Sequence, residues 1–526
     1  MNLEDIYTIL NQANLLKTAP KPVPDLEIGT ISVDSRRVEP GAVFIAIPGT
    51  RHDGHAYVQE AIDKGAVAVI SERPLEVSAP ILRVVNSRKA AAILSAYYWG
   101  RPGKDLLCLG VTGTNGKTTT AFMIDAILEE VGYNTGLIGT VLTKIAGRIF
   151  ESAMTTPDAP ELHHLLHHMV EQEVEAVTME VSSHGIMQDR CYGLELDVGI
   201  LTNISTDHWD VHPTFEHYVE TKLAFFDLVT EGGLKAANGD DPKIRQALAS
   251  HPIEGLVTFG ISPESQVKAR GLKTHGHGTR FILAWNRLPS RGGAPVEAGE
   301  VPVDLSLPGK HNVYNSLAAA TATLFLGIDP HIIPRALKSF SGVARRLQVI
   351  YDGDFTVIDD FAHNPASIKT ALEAATGLTQ GKLIIVNAIR GNRGLQINRE
   401  NAETLADFIQ ESQRQTRLIV TASQEAVGEH DRVSSGEKEV FLQTLRKKEI
   451  PYSFFSTLKK AIKTALKQVA AGDLLLLLGA QGMDQGSRVF RELMAQTPEI
   501  AKADPFDELA KEPAIIGISE YLENRG

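Results

Sequence analysis

The sequence predicts an α/β protein of three domains, with a central domain built on a parallel, doubly wound sheet. Three observations carry that prediction. The chain has 526 residues, and at roughly 100–200 residues per domain this is about three or four domains. From Asp105 apolar strands alternate with helices, the rhythm of a parallel sheet. After Ser341-Gly342-Val343 the rhythm restarts, so a further α/β unit follows.

Residues 1–103 form the first expected domain. Short β-rich runs (Ala42–Ile47, Ala66–Ile70, Ile81–Val85) mix there with helical stretches such as Ala56–Lys64. The turn former Arg101-Pro102-Gly103-Lys104 closes it. Residues 104–343 form the second, with strands expected at Leu106–Val111, Ala176–Val181 and Val198–Leu201. Its polar, Gly-rich stretch from Thr274 to Glu300 reads as a loop or hairpin excursion. Residues 344–526 form the third, with strands at Phe355–Ile358, Leu383–Val386, Leu418–Val420 and Leu474–Leu478. No element is assigned to the tail beyond Pro505.

Charge narrows the partners. With 52 Lys+Arg against 64 Asp+Glu the net charge is −12, which argues against a nucleic-acid or anionic-membrane partner, since phosphate-rich surfaces need a basic one. Cys108 and Cys191 cannot build a disulfide framework and have no zinc spacing around them. Met1 to Leu16 is interrupted by Glu4, Asp5, Asn11 and Asn14, so no signal peptide is expected. Leu474–Leu478 is far too short to span a membrane. A cytoplasmic protein with small-molecule partners is the expectation; nothing in the sequence specifies an oligomeric state.

The strongest local signal runs from Leu106 through Gly110-Val-Thr-Gly113-Thr114-Asn115-Gly116-Lys117-Thr118-Thr119. A buried strand enters a Gly-rich turn and then a helix with Met123, Ile127 and Val131 on one face. Backbone N–H groups and the helix N-terminus suit polyphosphate, Lys117 neutralises it, and the Thr118 hydroxyl suits Mg²⁺. Val111 stands where the general phosphate-loop pattern has its first glycine. The competing reading is a strand–turn–helix with a surface lysine.

Two later strands end in polar groups, Glu180-Val-Ser182-Ser-His184 and Thr202-Asn203 leading to Asp207-His208. Ligands in a parallel sheet sit beyond the strand C-termini, so Glu180 can reach an ion held by Thr118, and His208 can support a second. His163, His164, His167 and His168 make two i, i+4 pairs; with no carboxylate or cysteine to complete a metal set, they read as a solvent-facing helix.

These motifs also resemble a family. Gly113-Thr-Asn-Gly-Lys-Thr-Thr119, Glu180-Val-Ser-Ser-His184, Thr202-Asn-Ile-Ser-Thr-Asp-His208, Gly309-Lys-His311-Asn312-Val-Tyr-Asn315 and Asp360-Phe-Ala-His363-Asn-Pro are similar to the Mur ligases of peptidoglycan synthesis. Val33-Asp34-Ser35-Arg36 and Gly49-Thr-Arg-His52-Asp53-Gly54-His55 are similar to the uridine-binding pattern of the MurE type, which adds the third residue of the stem peptide. The resemblance implies an N-terminal UDP-sugar-binding domain, a central ATP-binding domain and a C-terminal Rossmann-like domain that receives the amino acid. It implies that a carboxylic acid, activated by ATP as an acyl phosphate, is joined to an amine.

By resemblance Lys117, Glu180, His208 and Lys222 are catalytic, and Lys222 is carbamylated so that it binds a second Mg²⁺. ATP falls to the loop 113–119, Asn312, Asn315, Arg346 and Asp360. The UDP-sugar peptide falls to Ser35, Thr155, Thr156, Ser182, Gln188 and Arg190, and Arg393 to the incoming amino acid. The family pattern fails at several places. Arg345 and Gln348 stand for its Gly and Glu around Arg346, and Gly394 for an Asp after Arg393. Ser423-Gln-Glu-Ala426 replaces Asp-Asn-Pro-Arg, and Ala480-Gln-Gly-Met-Asp484 replaces Gly-Lys-Gly-His-Glu. Two alternatives stay open at this point: a paralogue joining another acid and amine, and a nucleotide-dependent regulator that no longer ligates.

Overall fold

The computed structural model describes residues 1–49, 52–205, 214–276, 278–425 and 427–496. Its described residues form three sheets of 5, 11 and 6 strands, met in that order along the chain.

The first sheet places Thr30–Ser32, Ala42–Ile45, Ala68–Ser71 and Ile81–Val84 in parallel, with Leu16–Thr18 antiparallel at one edge. Every side chain of Ala42–Ile45 and Ala68–Ser71 is buried, as expected of strands covered on both faces.

The second sheet has a parallel centre. Leu107–Thr112 lies between Ala176–Glu180 and Leu196–Leu201, and Thr135–Ile138 pairs on the outer side of Ala176–Glu180. All six residues of Leu107–Thr112 are buried. The stretch read as a loop or hairpin resolves into antiparallel strands, Val267–His275, Gly278–Trp285 and Gly299–Leu305. Phe281, Leu283 and Trp285 alternate inward with Val301, Val303 and Leu305 to extend the core. Period-two alternation therefore decides that segment despite its glycines.

The third sheet is parallel apart from Gln348–Asp352 at its edge, with Leu474–Leu478 central and wholly buried. The strands at Thr356–Asp360, Leu383–Ala388 and Thr416–Thr421 fall where apolar runs predict them.

Two expectations fail on packing. Val131 is exposed, not in the buried face with Met123 and Ile127, because it ends the helix Lys117–Val131 just before its Gly132 cap. The histidine helix, Ala159–Glu171, is not solvent-facing: His163 and His168 are buried. The helix packs on Ser87–Tyr98 and the turn Pro102–Lys104, and the His164 ring stacks on Trp99 at 4.3 Å. Among the described residues no helix is long and apolar enough to cross a membrane. Cys108 and Cys191 are free and buried, and burial pushes both thiols well above their usual range.

Candidate active site

The parallel strands of the second sheet end at a cavity of about 1070 Å³, reached also by residues of the third sheet's loops. The phosphate loop forms its floor. Gly113 has φ +142°, and a Cβ there would lie 2.0 Å from the Thr202 hydroxyl; Gly116 has φ +84°, and a Cβ would meet the Asn315 amide oxygen at 2.5 Å. Only glycine fits both conditions. The loop is braced from the next strand: the Thr114 and Asn115 amides donate to Asn203 O and Oδ1, both at 2.9 Å, and Thr202 Oγ1 donates to Asn115 O at 2.6 Å. Lys117 Nζ folds over the loop, donating to Gly113 O at 2.9 Å and Thr114 O at 3.0 Å. Gly113 itself does not line the cavity; it shapes the turn behind it.

Glu180 ends its strand completely buried. Its carboxylate accepts from the Thr118 hydroxyl at 2.8 Å, the Thr140 amide at 2.7 Å and the Thr140 hydroxyl at 3.1 Å. This all-oxygen pair suits a hard cation such as Mg²⁺, which takes one or two carboxylates and fills its remaining positions with phosphate and water oxygens. Among the described residues no group of three or more His, Cys, Asp and Glu gathers at a metal-binding distance. Thr140 escapes a motif reading, although it lies just beyond the end of Thr135–Ile138, where the strand-end rule directs attention.

His208 lies outside the described residues. Lys222 is buried on the helix Phe215–Leu223, which is capped by Thr214. Its Nζ sits 4.7 Å from the Tyr218 ring centre, and Tyr218 reaches Thr114 Oγ1 at 2.9 Å. Lys222 thus stands one residue behind the phosphate loop and does not line the cavity.

Thr155, Thr156, Ser182 and Arg190 line the same cavity. Thr156 Oγ1 donates to Glu180 O at 3.0 Å and accepts from the Ser182 amide at 3.0 Å, while Thr155 meets the Thr140 hydroxyl at 3.0 Å. Arg190 donates to Thr156 O and, at 2.7 Å, to Gln188 Oε1. Arg190 and Gln188 also line a second cavity of about 590 Å³, together with Ser35, Asp34, Arg36 and His52 from the first sheet's loops. Arg190 therefore joins the two cavities.

Asn312, Asn315, Arg346, Asp360 and Arg393 also line this cavity, with Asn315 directly against the loop at Gly116. Asn315 Nδ2 donates to Asn312 Oδ1 at 3.1 Å, and both are buried at the start of the helix Lys310–Phe325. Dense packing pushes the neighbouring His311 ring down to about 4, so it is neutral at physiological pH. Asp360 accepts from the Leu347 and Ala362 amides at 2.7 and 2.8 Å. Burial raises its carboxyl to about 6, with Arg346 opposing. The Asn115 and Asn364 amides face each other at 3.3–3.5 Å, bringing the phosphate loop to the third sheet.

Arg393 donates to Asp431 at 2.9 Å. The amides of Asn392, Arg393 and Gly394 all donate to the buried Glu437 carboxylate, at 3.1, 2.8 and 2.9 Å. Burial raises that carboxyl, but the Ser434 amide and hydroxyl together with the Gly394 and Asn392 amides outweigh it and hold it low. Arg390 also lines the cavity and donates to His363 O at 3.2 Å. It lies just past the strand Leu383–Ala388, a placement that could have marked it. Ala426 lies outside the described residues, and Ser423 and Glu425 do not line the cavity.

A phosphate loop and a buried carboxylate, at the meeting of three α/β sheets, define a nucleotide-dependent enzyme of the phosphate-loop class. Residues 111–323 match the Mur ligase middle domain, 345–481 the Mur ligase glutamate ligase domain, and 27–99 the Mur ligase family catalytic domain. The chain belongs to the Mur ligase family, whose members form amide bonds with ATP and release ADP.

It is similar to UDP-N-acetylmuramoyl-L-alanyl-D-glutamate–2,6-diaminopimelate ligase of Bacillus licheniformis, 32% identical over 96% of this chain and 98% of that one. The enzyme of the same name from Clostridium botulinum is 36% identical over 70% of this chain and 74% of its own. Among solved structures, a ligase of that name superposes with a TM-score of 0.61 at 24% identity, covering 91% and 93% of the two chains. MurF ligase of Thermotoga maritima in complex with ADP gives 0.62 at 21%, covering 89% and 98%. At these identities the superpositions speak for the fold.

Proposed function

We propose that this ligase joins an amino acid to a carboxylate of UDP-N-acetylmuramoyl-L-alanyl-D-glutamate while ATP is cleaved to ADP and phosphate, a step of peptidoglycan synthesis. The observation that carries the reading is Arg190, which lines both the large cavity at the phosphate loop and the smaller one at Ser35. An extended nucleotide-sugar peptide fits that arrangement, with its uridine end toward Ser35 and His52 and its carboxylate toward Glu180. The division at 1–103, 104–343 and 344–526 assigns these tasks to UDP, ATP and amine in turn.

The acid oxygen attacks the γ-phosphorus, the bond to the β-phosphate oxygen breaks, and ADP leaves. The amine nitrogen then attacks the acyl carbon, phosphate departs, and the amine loses a proton. Such chemistry asks the protein for positioning and charge neutralisation. Lys117 and the amides of 113–119 hold the phosphates; Thr118 and Glu180 hold Mg²⁺, which neutralises their developing charge when bound. Asn312, Asn315, Arg346 and Asp360 hold the nucleoside and phosphate from the rest of the cavity lining. Ser182, Thr155 and Thr156 orient the acid. Lys222, carbamylated, would supply with His208 the ligands of a second ion.

A second reading keeps the chemistry and changes the acid and amine. It is favoured by Arg393, whose guanidinium is already engaged by Asp431. One assay separates the two: phosphate release from ATP with an amino-acid panel, with and without the UDP-dipeptide. Release that requires the UDP-dipeptide supports the first reading. Turnover indifferent to it supports the second.

A further inference from the structure

Two departures from the family pattern, Arg345 and Gln348, come together with Asp484, which keeps the carboxylate of the family's Glu and lies 139 residues from Arg345 in the chain. Arg345 has φ +58° and Leu347 φ +47°, so Arg346 sits between two non-glycine residues in the left-handed region, which only surrounding contacts can maintain. Those contacts are complete. The Arg345 amide donates to Gln348 Oε1 at 3.0 Å, and its carbonyl accepts from the Phe361 amide at 2.8 Å. Its guanidinium pairs with buried Asp359 at 3.3 Å and with Asp484, and donates to Gly479 O. On the other side the Leu347 amide is held by Asp360 at 2.7 Å. The guanidinium carbons of Arg345 and Arg346 lie 4.9 and 4.8 Å from the centre of the Phe361 ring. Only Arg346 of the pair lines the cavity.

We propose that Arg345 is a positioning residue for the nucleotide: its ion pair with Asp484 locks the turn that aims Arg346 into the cavity. Arg345, which stands where the family has glycine, and the carboxylate of Asp484, which stands where the family has Glu, then form one unit. The proposal rests on Arg346 serving ATP.

The test measures Kd for Mg²⁺ with the β,γ-methylene analogue of ATP by calorimetry, alongside Tm, in the full-length protein. The variants are Arg346→Ala, Arg345→Ala, Asp484→Asn and the Arg345→Ala/Asp484→Asn double. Arg346→Ala should weaken binding at least about tenfold, and each of the other singles about five- to tenfold, with the double no worse than the poorer single, as expected of residues acting together. Asp484, whose side chain is 42% exposed, gives a variant that folds even where Arg345→Ala does not. If Arg346→Ala weakens binding while Asp484→Asn lowers only Tm, or if the two effects multiply in the double, the pair is merely structural and the proposal falls alone. If Arg346→Ala leaves Kd unchanged, the ATP role of Arg346 falls with it.

Discussion

The phosphate-loop half and the Arg393 half of the large cavity, proposed for nucleotide and amine, are built on different plans. At the phosphate loop, Glu180 takes its hydrogen bonds from Thr118 and Thr140, and Lys117 rests on loop carbonyls. Those hydrogen bonds run to hydroxyl, amide and carbonyl groups at the edge of the cavity. Around Arg393 the chain supplies its own anions: Asp431 on the guanidinium and Glu437 on three successive amides. One half is braced by hydrogen bonds to neutral groups; the other carries an ion pair and a carboxylate of its own. The contrast teaches that family chemistry and acceptor choice are separable here, the first resting on the loop and the second on a rebuilt clamp.

The largest expected effect tests the phosphate-loop half. Lys117→Ala should cut phosphate release by about a hundred- to a thousandfold or more, as for other groups that meet developing charge, with Tm unchanged. Wild-type-like turnover would remove the phosphate loop from the account. Next comes Lys222→Ala, expected to lose roughly a hundredfold, in the range of a disrupted metal ligand sphere, and to regain activity with added short carboxylic acids. A fully active variant, or one that no acid rescues, would remove the carbamate.

The Arg393 half predicts a split in the kinetics. Arg393→Ala should raise KM for the acceptor roughly tenfold or more and leave KM for ATP unchanged, since a carboxylate loses its charged partner. Equal rises in both constants would show that the two halves are not separable.

The smallest effect lies outside the cavity. Burial pushes His163 down to about 4, and neither ring nitrogen has a hydrogen-bond partner among the described residues. A histidine with its folded pKa depressed below about 6.5 contributes stability that is complete above that pH and is lost as pH falls toward 4. The loss amounts to at most about 3 kcal/mol, from roughly 1.4 kcal/mol per unit. His163→Leu should flatten the fall of Tm between pH 6.5 and 4, and an unchanged slope would place the acid sensitivity elsewhere.

Sequence legibility followed the same divide. The loop 113–119 and Glu180 were readable because strand, glycines and polar strand end form short local patterns with a fixed geometric meaning. The Arg345–Asp484 pair was not, because nothing local marks two distant substitutions as partners. Glu437 reads as an ordinary N3 acid in a helix capping box, which it also is; its grip on residues 392–394 is tertiary. The histidine helix was misread because four polar rings suggest a wet face, whereas Trp99 covers two of them. In the fold, alternation beneath a Gly-rich composition hid the strands at 267–305.

The central claim is that ATP chemistry has been kept while the amine clamp has been rebuilt, and an acceptor screen tests it most directly. Diaminopimelate carries a second amino-carboxylate end that needs its own cation, and loss of a partner for a buried carboxylate costs roughly 3–5 kcal/mol, a hundredfold or more. With ATP and the UDP-dipeptide saturating, kcat/KM is measured for diaminopimelate beside a panel of other amino acids. The account predicts that another acceptor wins, with phosphate release abolished in Lys117→Ala for all of them. Diaminopimelate emerging as the best acceptor by a wide margin would contradict it, and would mean that another cation on the cavity wall, Arg390 foremost, supplies the missing charge.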